Sequence, residues 1–440
     1  MIESNSKLNE PSDPSDRWFI LLLVSLNYFT LFLHREMIFF VLPPLKETLG
    51  LSEVQQGWLM PAFIFPYGFS QFFMGYLSDR FRRRNILIYS LTASVLALGA
   101  MAWADSFRQL LVLRACLGFA QAASVPAIGG IMADCFSPKI RSTAVAIYLM
   151  SQTAAVIAAG WAGGSIAEAP SWTLPLVGDL AGWRTAMLAF SLIGAGLIVI
   201  LTLFLREPER TERSQGKSLS SEEGSHGFWK TLHSVLRVPS FWILAIIFLL
   251  FALVMTARSG WLAKYFHDTF DMTLGDAGRF STVWIQISSI VGLLLGGVVA
   301  DRWSRRWRGG RVATCAIAMV AWIPALLIIG TSESEWLIAT AMVFFGLALG
   351  VYNTNLWTTT FEVIDPAARS TSLGLLNVFS SFPSLASPFI GALKDQGYID
   401  NYGSAFTGLS GVALIIVLLF VLHIWVTLPR DFIGPEAKSE

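Results

Sequence analysis

Two arginines stand where a charge is costly. Arg35 interrupts an apolar run, with Asn27-Tyr-Phe-Thr-Leu-Phe-Leu33 before the triplet His34-Arg35-Glu36 and Met37-Ile-Phe-Phe-Val41 after it. Arg258 lies within Val254-Met-Thr-Ala-Arg-Ser-Gly260, and Arg114 lies in a third apolar stretch. A guanidinium presents a planar fork of donors that fits a carboxylate or phosphate with two parallel hydrogen bonds. Two of them facing one cavity would form an anion site. Glu36 is the one acid near the middle of an apolar segment, and as Arg35's neighbour it points about 100° away around a helix. The plainer alternative pairs Glu36 with an adjacent helix and lets Arg258 reach the nearby interface, because Trp261, Lys264 and His267 follow closely.

The elements that hold these side chains are membrane helices. Of 440 residues, 54% are hydrophobic and 14% charged, against about 25% charged in soluble domains. A bilayer core of about 30 Å needs about 20 apolar residues as a helix. Twelve such spans are predicted: 17–42, 54–78, 85–104, 108–136, 141–165, 183–205, 239–266, 275–301, 311–331, 335–362, 367–393 and 403–428. The domain organisation expected is a tail (1–16), a six-helix bundle (17–205), a linker (206–238), a second six-helix bundle (239–428) and a tail (429–440). Arg80, Arg82, Arg83 and Arg84 follow span 2, and Arg302, Arg305, Arg306, Arg308 and Arg311 follow span 8. The positive-inside rule puts that face, and with it both termini, in the cytoplasm. A net charge of +1 gives no reason to expect nucleic acid. Three cysteines and five histidines show no metal or disulfide spacing, so no metal and no cofactor is expected. No phosphate-binding glycine loop and no recognisable catalytic cluster is present, so the chain does not read as an enzyme.

The two halves repeat. Gly75-Tyr-Leu-Ser-Asp79-Arg80 matches Gly297-Val-Val-Ala-Asp301-Arg302, offset 301 − 79 = 222. Pro138-Lys-Ile-Arg141 matches Pro366-Ala-Ala-Arg369, offset 369 − 141 = 228. Arg35 plus 222 is 257, one residue from Arg258, so the two arginines hold nearly equivalent places. Tandem repeats of this kind place a substrate cavity between the halves near the midplane.

These motifs resemble the major facilitator superfamily over nearly the whole chain. The resemblance implies an all-α membrane protein with twelve transmembrane helices in two pseudo-symmetric six-helix bundles. It also implies cytoplasmic gating by Asp79, Arg80, Arg84, Arg141, Asp301, Arg302 and Arg369, the carboxylates capping neighbouring helix N-termini. Anchoring of topology is the other reading of those arginines. Tyr67-Gly-Phe-Ser-Gln-Phe-Phe-Met-Gly75, the Arg35 to Pro43 spacing and Gly118-Phe-Ala-Gln121 are similar to the organophosphate:phosphate antiporter branch. There the span 1 arginine, with a second in span 7, binds phosphate. Gln71 and Gln152 replace that branch's lysine and histidine. A sister group, the anion:cation symporters of sugar acids, carries an Asp before the arginine and a Glu in span 4; here those places hold His34 and Gln121. The missing acids favour exchange or uniport, with His34 and Glu36 left as groups able to couple protons. Further substrate contacts are expected from Tyr67, Gln71, Gln121, Tyr148, Gln152, Trp284, Gln286, Asn353, Asn355 and Trp357, each of which could instead join helices.

The function implied is alternating-access transport of a small organic anion, a sugar phosphate or a sugar acid, by a monomer in a bacterial inner membrane. A membrane ligand sensor and a lysolipid exporter are the two alternatives.

Overall fold

The computed structural model describes residues 14–136, 140–174, 178–207, 231–365 and 368–433. The linker expected over 206–238 falls mostly outside them, as do Pro138, Pro366 and most of both tails. Among the described residues, eleven helices are long and apolar enough to cross a membrane. The twelfth segment, span 2, is the 28-residue helix Glu53–Arg80, roughly 42 Å long at 1.5 Å per residue. The expected all-α architecture therefore holds, with one addition: a small hairpin between spans 5 and 6, in which Ser171–Leu174 pairs antiparallel with Gly178–Ala181.

In hydrocarbon each backbone N–H and C=O must find a partner within the chain, and helices achieve this internally. The first half consists of span 1 (Pro14–Glu36, extended by the turn Met37–Phe40), span 2, span 3 (Arg83–Met101), span 4 (Phe107–Gln121 then Ser124–Cys135), span 5 (Arg141–Ala158 through Gly164–Glu168) and span 6 (Gly182–Phe204). The second consists of span 7 (Pro239–Phe270), span 8 (Leu274–Ser304), span 9 (Gly310–Val320 then Trp322–Thr331), span 10 (Glu335–Phe361), span 11 (Arg369–Phe379 through Ala386–Asp395) and span 12 (Tyr402–Leu422, continued to Asp431). Capping marks several starts: Ser52 and Gln55 form a reciprocal capping box on span 2, and Ser106 and Thr273 cap spans 4 and 8.

Spans 8 and 10 pack closely along two glycine pairs. A side chain on Gly292 would meet the Leu347 backbone, and one on Gly346 would meet the Ile285 backbone. Small residues four apart on both helices allow this approach where apolar burial alone gives no drive to associate. The halves themselves meet on the face opposite the arginine-rich loops. There span 5 crosses span 8 at Gly160 and Gly278, where a Cβ on Gly278 would lie 2.1 Å from the Gly160 carbonyl. Span 2 crosses span 11 in the same layer, with Gly57 against Pro388 and Gly391 against the Glu53 carbonyl.

Overpacking such a crossing costs on the order of 1–3 kcal/mol. Gly278→Val is expected to lower the melting temperature of the purified protein by several degrees. Gly411→Ala, where the added carbon meets nothing, is expected to leave it unchanged. Equal midpoints for the two variants would show that the crossing is not a tight contact.

Candidate functional site

A cavity of about 1090 Å³ lies between the halves. Its first-half wall comes from spans 1, 2 and 4, its second-half wall from spans 7 and 11, and it reaches Phe73, Leu232 and Thr371 toward the arginine-rich face. Among the described residues its charged lining is Arg35, Glu36 and Arg114. The Arg35 guanidinium lies 5.1 Å from the Phe63 ring centroid, 5.2 Å from Phe32 and 5.6 Å from Tyr67. Arg114 approaches the same Phe63 ring at 5.0 Å and Phe39 at 5.5 Å. Aromatic faces attract cations, by about 2 kcal/mol when desolvated, so one ring draws two guanidiniums together. The close approach of span 4 to span 2 makes this possible: a Cβ on Gly118 would lie 2.2 Å from the Phe63 carbonyl.

The two arginines are held differently. Arg114 is almost wholly buried and donates Nε to the Leu59 carbonyl and Nη1 to the Arg35 carbonyl, at 3.1 and 3.0 Å. It is fixed in place, and its hydrogen bonds go to neutral oxygens. Arg35 keeps its fork nearer the cavity, with Nε 3.3 Å from the Glu36 carboxylate. Glu36 also acts electrostatically on Arg114 and on Arg258. Arg258, expected to face the cavity, is not on its lining; it donates Nη2 to Ser259, which is, and its buried Nε lacks a hydrogen-bond partner.

The other sequence candidates divide clearly. Tyr67 and Gln71 line the cavity and share a hydrogen bond. Tyr148 and Gln152 stand behind Tyr28, which lines it: the Tyr28 hydroxyl reaches Gln152 Oε1 at 3.3 Å, and its ring lies 4.9 Å from that of Tyr148. Gln121 is an inter-helix tie, with Nε2 donating to the Leu31 carbonyl and to Ser94. His34 turns away from the cavity, its Nδ1 on Ser94 and its Nε2 on the Phe190 carbonyl, both at 3.0 Å. The carbonyl only accepts, so the proton sits on Nε2 and the neutral ring is fully satisfied. Trp284, Gln286 and Asn353 do not line the cavity: Trp284 and Asn353 are exposed elsewhere on the surface, and Gln286 is buried between helices. Asn355 serves the arginine-rich face instead, and the side chain of Trp357 lies outside the described residues.

At that face each half carries an arginine on an acid. Arg83 bonds Asp134, and Arg311 bonds Glu362 at 2.9 Å, Asp301 at 2.6 Å and Asn355 at 2.9 Å. The repeat predicts these partners, since 311 − 83 and 362 − 134 both equal 228. Glu207 caps the start of span 3, accepting from the amides of Arg83 and Arg84 at 2.9 and 2.7 Å. Asp301 holds an arginine side chain. Arg84 donates to the Thr202 carbonyl and Arg369 to the Phe361 carbonyl. Arg80 and Arg302 are exposed, and the side chains of Asp79 and Arg141 lie outside the described residues.

The opposite face holds a charged knot that the sequence reading leaves out. Glu53, buried at the start of span 2, accepts from Lys46 at 2.7 Å, from Gln56 at 2.9 Å and from the Tyr402 hydroxyl at 2.7 Å, with Lys264 at 3.6 Å. Asp395 of span 11 accepts from the backbone amides of Glu53 and Val54, capping span 2 from the other half. The Glu53 hydrogen bond holds the Lys46 ammonium above the ordinary lysine range. Partners more than 340 residues apart leave no local signal. Arg114 did leave one, its charge in an apolar run.

If this knot keeps the halves together, Glu53→Gln loosens it. Ser387→Cys, buried beside the seam, is expected to react several-fold faster with a membrane-impermeant maleimide in the Glu53→Gln background. Unchanged labelling would assign the closure to the glycine crossings alone.

The Major Facilitator Superfamily model matches residues 24–388. The "Probable sulfoacetate transporter SauU" of Cupriavidus necator is 23% identical over 394 residues, covering 85% of this chain and 86% of that protein. The "Probable galactarate/D-glucarate transporter GudP" of Bacillus subtilis is 24% identical over 437 residues, covering 90% and 88%. A crystal structure of a bacterial homolog to the human lysosomal transporter Spinster, inward-facing and unoccupied, superposes with a TM-score of 0.78 at 21% identity, covering 96% of this chain and 100% of that one. With twelve spans, two bundles and a cavity between them, the chain is an integral membrane transporter, not an enzyme, and belongs to the Major Facilitator Superfamily.

Proposed function

We propose that this protein moves a small organic anion across the membrane by alternating access, with Arg35 as the group that grips the anion. The observation that carries this reading is the cavity itself, where Arg35 and Arg114 flank one phenyl ring and Glu36 is the sole acid on the described lining. Among the relatives described above, one is named for sulfoacetate and one for galactarate and D-glucarate. Both names are of small organic acids, from two carbons to six, and the cavity, just above the roughly 300–1,000 Å³ found for ligand pockets, holds either. Those names also set aside the sensor and the lysolipid exporter. Of the two groups proposed for proton coupling, Glu36 is the better placed: it lines the cavity, whereas His34 is satisfied behind it.

The arginine-rich face would be cytoplasmic, which places both termini there in a bacterial inner membrane. In that orientation the structure is closed toward the outside by the Glu53 knot and the glycine crossings. A monomer suffices, because the cavity lies within one chain.

The test is Arg35→Lys, which keeps the charge but loses the fork. Uptake of the transported acid into proteoliposomes is expected to fall by at least about tenfold while insertion stays normal. Undiminished flux in this variant would overturn the assignment of Arg35.

A further inference from the structure

We propose that Arg114 is a positioning residue: it holds the stretch of span 1 from which Arg35 reaches the anion, and does not itself take the anion. The inference rests on the reading of Arg35 as the gripping group and adds what aims it.

Arg35 lies in the last turn of the α-helical part of span 1, directly before the tighter turn Met37–Phe40. Pro43 and Pro44 follow at the start of the next helix, Leu42–Leu49, and a proline interrupts a helical ladder that would otherwise run on. Carbonyls in a last turn lose their α-helical donors, and Arg114 Nη1 supplies one to the Arg35 carbonyl at 3.0 Å. Its Nε donates to the Leu59 carbonyl at 3.1 Å, one turn before Phe63 on span 2. One guanidinium thus ties the backbone that carries Arg35 to the turn that carries the Phe63 ring, which Arg35 faces at 5.1 Å. Span 4 delivers Arg114 at the right height. Arg114 and Gly118 stand one turn apart, as do Leu59 and Phe63, and the two pairs meet in order: a Cβ on Gly118 would lie 2.2 Å from the Phe63 carbonyl.

The two arginines are therefore suited to different tasks. The Arg35 side chain is 25% exposed, and Arg114 as a whole 1%. Turning Arg114 toward an anion would forfeit both of its charge-assisted bonds to the backbone. Arg35 is held by three rings and by Glu36, contacts that leave its fork facing the cavity. The direction of that fork then depends on where its backbone and the Phe63 ring stand, and Arg114 fixes both. Hydrogen bonds weaken steeply as they bend, so a fork that must meet an anion with two of them is sensitive to its aim.

The experiment uses purified full-length protein with D-glucarate, D-glucuronate and sulfoacetate as probes, and reads affinity by calorimetry. Arg114→Lys keeps the charge but loses the planar fork that spans two carbonyls. It is expected to weaken the best-bound probe at least about tenfold, and to change affinity by less than about twofold when added to Arg35→Lys, as coupled residues do. A second readout needs no ligand. Modification of Arg35 by phenylglyoxal, followed by mass spectrometry of its peptide, is expected to be several-fold faster in Arg114→Lys. Where Arg114→Lys does not insert, Arg114→Gln, which keeps a donor for one carbonyl, takes its place. Full affinity in Arg114→Lys overturns the proposal. So does a further loss in the double variant, which would make Arg114 a second ligand or a general support of the fold. An unchanged modification rate also overturns it. Full affinity in Arg35→Lys, or no binding of any probe by the wild type, overturns the reading of Arg35 instead, and the modification rate then decides whether Arg114 positions its side chain.

Discussion

A guanidinium in the depth of a bilayer has no water to share its charge, and the first half is organised around that constraint. Arg114 meets it with backbone carbonyls and two aromatic faces, which hold it immobile. Arg35 meets it with three aromatic faces and the adjacent carboxylate, which leave its fork facing the cavity. The cost of burying both is met by the same ring, Phe63, and so by the close packing of spans 2 and 4. One arginine is thus fixed in place, and the other keeps its fork toward the cavity, where the proposed anion would meet it.

The contacts that join helices are sorted by depth. Within the apolar layer they are the glycine seam of spans 8 and 10, the bonds that Arg114 donates to the Leu59 and Arg35 carbonyls, and neutral chains such as the one from Gln121 through Ser94 and His34 to the Phe190 carbonyl. The ion pairs that join helices lie at the ends of the spans. The Arg83–Asp134 and Arg311–Glu362 pairs hold spans within each half at one end. Glu53 and Asp395 join the halves at the other. Ionic bonds can be exchanged for water where water is near, so the parts that must separate are fastened at the wet edge.

The fold was legible because its signals are local. Apolar run length, loop arginines and a repeat near 222–228 residues each depend on short stretches of chain, and twelve spans in two halves follow from them. The site was legible in part. Arg35, Glu36, Tyr67 and Gln71 lie on the cavity because spans 1 and 2 are set by the repeat and carry polar groups on one side. The reading failed where a polar side chain in a helix can face either a cavity or a neighbour, since both need the same residue types. Gln121 and Asn355 took the second option. Trp284 and Asn353 face outward and Gln286 is buried between helices, while the Gly292 and Gly346 seam, a pattern present in the sequence, joins spans 8 and 10. The Glu53 knot could not be read locally, because Tyr402 and Asp395 reach it only through the finished fold.

The cap that Asp395 places on span 2 carries a thermodynamic consequence. When the halves part on that face, the amides of Glu53 and Val54 lose their acceptor, and the side chains of Tyr402 and Lys264 lose theirs. Each of these groups must then be hydrated, so the open form holds more bound water than the closed one. The balance between the two forms accordingly depends on water activity: solutes excluded from protein surfaces favour the closed form of this face, and osmotic strength becomes a variable that acts on this carrier without entering its binding site.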